Sequence, residues 1–127
     1  MHSPSRLTPA LLLAGALVTF APAQSASAAP RPATDPLCPF TDTLCLFEGE
    51  NFTGERFTVK ALDSEQGACV DLVDHGWGGR ARSAVNTDDR NAAMFPNADC
   101  TGHPAPIAPG RTPDFSGWFT PGSVFVH

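Results

Sequence analysis

No part of this 127-residue chain concentrates positive charge. Its 8 Lys and Arg residues are spread singly against 13 acidic residues, for a formal charge of −5. Without a basic patch the chain lacks the electrostatic footprint of a nucleic-acid or anionic-membrane binder, so neither is expected as a partner. Long apolar runs are missing too: residues 10–20 are apolar but too few to span a bilayer comfortably, and no other segment is apolar enough. There is no Cys-x-x-Cys pair and the histidines do not cluster, which excludes the usual zinc patterns and leaves no metal or cofactor expected. The serines near glycine, Ser64, Ser116 and Ser123, lack a Gly-x-Ser-x-Gly elbow. No segment sustains a helical apolar period beyond a single turn at 61–67.

What is present begins with an export signal. A short start bearing Arg6, the apolar run and Ala26-Ser27-Ala28 form the pattern of a leader over residues 1–28, cut before Ala29. Losing Arg6 takes the charge from −5 to −6. A secreted, extracellular protein is expected, free of the membrane once cut. Residues 29–37, rich in Pro, Thr and Asp, read as a flexible N-terminus. Residues 38–127 are enough for one domain with one modest core, expected as a monomer.

All four cysteines, Cys38, Cys45, Cys69 and Cys100, lie in the exported part. An even count in a small exported domain reads as two disulfides. Sequence alone permits three connectivities. The favoured one joins Cys38 to Cys45, clipping the N-terminal tail to the first strand, and Cys69 to Cys100, tying the two halves together. On the chain-entropy account these contribute about 2.5 and about 3.7 kcal/mol.

The chain is organised around Leu46-Phe47-Glu48-Gly49-Glu50-Asn51-Phe52-Thr53-Gly54, a strand end running into a tight turn closed by glycine. The pattern returns as Met94-Phe95-Pro96-Asn97-Ala98-Asp99-Cys100-Thr101-Gly102, with the phenylalanines and the Thr-Gly pairs aligned. The chain therefore carries an internal duplication. Short β-favouring runs fall at 44–48, 56–60, 69–73, 84–87, 92–95, 105–108 and 124–127. Turn residues separate most of them, as in an all-β sandwich. Alternation in 56–60 aims Phe57 and Val59 at the core.

An aromatic, then glycine, then a serine opening a later strand is the signature of the βγ-crystallin Greek key. Key one, at about 44–88, carries Phe47, Gly54 and Ser83; key two, at about 91–127, carries Phe95, Gly102 and Ser123. With a cysteine pair just ahead of key one, the chain resembles the Streptomyces-type secreted metalloproteinase inhibitors, above all over 44–54 and 80–86. The resemblance implies a βγ-crystallin-like sandwich of two Greek keys and a non-enzymatic inhibitor of thermolysin-like metalloproteinases, acting through a rigid substrate-mimicking loop. Phe95 to Gly102 is the first candidate loop and residues 73–80 the second. Inhibitory members can present a disulfide-braced loop in key two, where this chain has only Cys100 in a short turn. Calcium-binding relatives place Asn or Asp oxygens ahead of the serine. Gly78-Gly79-Arg80-Ala81-Arg82-Ser83 and Trp118-Phe119-Thr120-Pro121-Gly122-Ser123 supply none, so no calcium site is expected.

No catalytic residues emerge. Asp74 and His75, adjacent on a strand, would point to opposite faces. Glu48 and Glu50 have the spacing of an acid pair but read as turn carboxylates. His75, His103 and His127 read as surface residues. Trp77, flanked by glycines, is a candidate exposed aromatic, with burial beneath its loop as the alternative. If exposed, it would serve a competing function, a glycan- or cell-wall-binding or toxin-like module. Trp118 and Phe119, beside Phe115, are expected to close key two.

Overall fold

A computed structural model describes residues 15–19 and 34–127. Most of the leader, its cleavage point and residues 29–33 lie outside the described residues. Eight strands follow in order: β1 (Leu44–Phe47), β2 (Arg56–Val59), β3 (Ala68–Asp71), β4 (Ser83–Asn86), β5 (Ala92–Phe95), β6 (Ala105–Ile107), β7 (Gly110–Thr112) and β8 (Ser123–Val126). They form two four-stranded antiparallel sheets, ordered β2-β1-β4-β7 and β3-β8-β5-β6. Each key keeps three strands in one sheet and lends its third strand to the other, so β3 crosses one way and β7 the other. Neither sheet can form from one half alone.

The alternation read from 56–60 holds. Leu44 pairs with Val59 and Leu46 with Phe57, and these four side chains share the inner face. Leu44, Leu46, Val59, Leu72, Met94, Ile107, Phe115 and Val124 build the core between the sheets. The opposite face of β1 is covered as well: Cys45 and Phe47 pack with Cys38 and Val85, with Leu37 and Phe52 alongside. This is why all four β1 residues are buried and the strand reads as continuously apolar. Both disulfides take the favoured pairing, Cys38–Cys45 and Cys69–Cys100, and no cysteine among the described residues is free.

Residues 61–67 hold the single turn expected there, with Gly67 N–H donating to the Asp63 C=O four residues back at 2.9 Å. Strand β7 carries no apolar alternation and lies between Pro109 and Pro113; pairing with β4 alone makes it a strand. Within the stretch expected to be flexible, Asp35 is held by two hydrogen bonds from Arg111 of β7, at 2.6 and 2.8 Å. That fork-to-carboxylate geometry is the strong form of the pair. It draws the Asp35 carboxyl below its ordinary value.

Candidate functional site

Strand directions gather four connections at one end of the sandwich: the turns after β1 and β5 and the loops before β4 and β8. The two turns are built alike. Ser83 Oγ donates to Gly49 C=O at 2.7 Å and accepts from Phe52 N–H at 3.0 Å. Ser123 Oγ donates to Asn97 C=O at 2.5 Å and accepts from Cys100 N–H at 2.8 Å. Both serines are fully buried, so each hydroxyl satisfies backbone groups that would otherwise be orphaned. Phe52 (φ 62°) and Cys100 (φ 56°) are both held in the left-handed region, and Gly54 (φ 79°) and Gly102 (φ 96°) follow them. A bulky residue there is a genuine outlier, sustained here by the serine that grips its N–H. The duplicated Phe–Gly–Ser pattern thus encodes one folded turn, made twice.

The candidate loop over 95–102 is the key-two copy. Its Pro96, Asn97, Asp99, Thr101 and Gly102 are exposed, and Phe95, Ala98 and Cys100 are half-buried. It is fixed from three directions. Cys100 is bonded to Cys69 of β3, Ser123 grips Asn97 and Cys100, and Gly122 N–H donates to Phe95 C=O at 2.8 Å. A Cβ on Gly122 would come within 2.6 Å of Pro96 O, so the loop before β8 lies directly against the turn. Within the turn, Asn97 donates to Thr101 at 3.1 Å, and Thr101 donates to Asp99.

Within the second candidate, 73–80, the exposure expected of one residue requires a correction. Trp77, the candidate exposed aromatic, is only 6% exposed. Its ring lies 5.4 Å from Phe57 of β2, and the Arg80 guanidinium lies over it at 4.4 Å. Arg80 is itself held by Glu55 at 2.6 Å, Glu48 at 3.1 Å and Gly76 C=O at 3.0 Å. The hydrogen bonds it donates to Glu55 and then to Glu48 raise its pKa further. Glycines around Trp77 let the backbone fold over the ring. Phe57 stands on another strand, out of sight of a local reading, whereas Arg80 lies three residues along the same loop. Within the same loop Val73 is exposed, as is His75, whose Nδ1 is 2.7 Å from Asp71 O.

Trp118 reverses its expectation in turn. Phe115 is fully buried and Phe119 half-buried, but Trp118 is 62% exposed. Its loop is nevertheless tightly fixed. Phe115 N–H donates to Arg82 C=O, Trp118 and Phe119 N–H turn back to Phe115 C=O, and Gly79 N–H reaches Pro121 C=O. Asp114 accepts from both Ser116 Oγ and Ser116 N–H, which lowers its pKa. Nothing in the local reading marked Trp118; the Asp114-x-Ser116 spacing was the available sign of a braced loop.

Around the first calcium-like position, Arg82 lines a small polar pocket with Gly79, Ala81, Ser116, Phe119 and Thr120. No group of three potential metal ligands occurs among the described residues. Glu48 is committed to Arg80, and Glu50 reaches Ser116 at 3.4 Å, so the two do not act as a pair.

Comparison with known proteins agrees with this geometry. A solved βγ-crystallin from Ciona intestinalis is 21% identical and superposes with a TM-score of 0.55, over 67% of this chain and 99% of that one. The likeness shows the fold. No curated protein matches the chain. The model of peptidase inhibitor family I36 matches residues 31–106, taking in the N-terminal clip, all of key one and the folded turn of key two. The chain therefore belongs to peptidase inhibitor family I36, the Streptomyces-type metalloproteinase inhibitors, built on the βγ-crystallin sandwich.

Proposed function

We propose that this protein is a secreted, monomeric inhibitor of thermolysin-like metalloproteinases that engages its target with the end of the sandwich presenting residues 95–102. Membership in a family of peptidase inhibitors supports a protease as partner. The leader-like sequence over 1–28 and two disulfides suit an extracellular setting. No helix among the described residues is long and apolar enough to cross a membrane.

The observation that carries the reading is the contrast, within 95–102, between exposed side chains and a backbone fixed by Cys69–Cys100, Ser123 and Gly122. A loop already ordered before binding loses little conformational entropy in the protease cleft. The same fixation holds the ends of a nicked loop together, which disfavours release of cleaved product. With Trp77 buried, the glycan-binding reading loses the aromatic platform on which it rested.

Titration of thermolysin with the oxidised protein tests this, with trypsin as control. The expected result is tight, stoichiometric loss of thermolysin activity alone. Full thermolysin activity at roughly micromolar inhibitor would overturn the proposal.

A further inference from the structure

Trp118 is the most exposed aromatic of the described domain, and the fold makes little use of it. Phe115 fills the core at this point and Phe119 packs against its edge. The Trp118 indole meets Phe119 edge-on at 6.1 Å and otherwise stands largely in water. The backbone beneath it is fixed by the Phe115, Asp114 and Gly79–Pro121 hydrogen bonds. A large apolar side chain held rigidly in solvent and unused by the core is the usual form of an interface anchor.

Its position selects the partner. The loop bearing Trp118 ends at Gly122, which lies against the 95–102 turn and whose N–H bonds Phe95 C=O. Val73, 57% exposed, stands on the neighbouring loop, which the Gly79–Pro121 hydrogen bond joins to the Trp118 loop. The exposed carboxylates of Glu50, Asp74, Asp99 and Asp114 share this end with Arg82, while Arg80 is paired with Glu48 and Glu55. Apolar anchors among carboxylates complement a cleft that binds substrate side chains in apolar subsites around a cationic zinc.

Resting on the proposed function, we infer that Trp118 is the principal docking side chain of this inhibitor, entering an apolar depression of the metalloproteinase beside the site that receives residues 95–102.

The test compares the oxidised protein with its Trp118→Ala, Trp118→Phe and Leu62→Ala variants against thermolysin. Leu62 is the control because it is fully exposed but lies in the 61–67 turn at the opposite end. Trp118→Ala should weaken inhibition by roughly 30-fold or more, with an unchanged unfolding midpoint. Trp118→Phe should fall between, and Leu62→Ala should stay within about twofold. An unchanged inhibition constant for Trp118→Ala, in a protein that does inhibit, overturns this inference alone. So does loss of retention on insoluble peptidoglycan with inhibition intact, which would assign the indole to a glycan. Failure of the unaltered protein to inhibit removes the proposed function and this inference with it.

Discussion

Gly76-Trp77 and Gly117-Trp118 place the same dipeptide in the corresponding loop of each key, yet one indole is 6% exposed and the other 62%. The difference lies in what each key sets around the ring. Counting from Gly54 and Gly102, Phe57 of key one corresponds to Ala105 of key two. Counting back from Ser83 and Ser123, Arg80 corresponds to Thr120. Key one therefore sets a second ring and a guanidinium against the indole, and key two has neither at the corresponding positions. Key two places Phe115 in the core instead, three residues ahead of its tryptophan, whose N–H turns back to Phe115 C=O. A glycine-rich flank permits either outcome; the side chains set against the ring decide it.

The largest effect that can break this comparison is on stability. Trp77→Ala should cost about 3–5 kcal/mol, as expected for a large aromatic removed from a core. Trp118→Ala should stay within about 0.5 kcal/mol, as for a surface residue. Urea unfolding of the two variants measures both. Similar losses would mean that the two loops are more alike than their burial indicates.

The serines sharpen the comparison from the side where the keys agree. Ser83→Ala and Ser123→Ala each leave a backbone N–H and C=O without the hydroxyl that joined them. Each should cost about 1–3 kcal/mol, with the two losses alike. A clearly smaller loss for Ser123→Ala would show that Cys69–Cys100 holds the second turn without its serine.

The smallest effect concerns the ion pair that ties the N-terminal segment to β7 of key two. Arg111 holds the Asp35 carboxyl below its ordinary value. Asp35 therefore contributes its full stabilisation above the unfolded carboxyl's pKa, near 4, and loses it as pH falls through the lower folded value. Asp35→Asn should lower stability slightly at neutral pH and leave it unchanged in strong acid. Thermal melts from pH 7 down to about pH 2 check this. A constant difference at every pH would contradict it.

Much of the fold was legible because the duplication states its rule twice. Phe47, Gly54 and Ser83 and their copies located both folded turns, and of the three connectivities left open the favoured one is the one found. Strand β7 was not legible, because it has no apolar face of its own and exists through pairing with β4. The Asp35–Arg111 bond was hidden by a separation of 76 residues. For the site, the position of 95–102 could be read, but the two tryptophans could not be told apart from their own neighbours. Aligning Phe57 with Ala105 and Arg80 with Thr120 was the comparison within the sequence able to separate them.

One end of the sandwich is proposed as the inhibitory face. Amide hydrogen exchange of the protein, alone and mixed with thermolysin, distinguishes the two ends. Added protection is expected over residues 95–102 and 113–122, with 61–67 and 87–91 at the far end unchanged. Protection at the far end, with 95–102 exchanging as in the free protein, would contradict it.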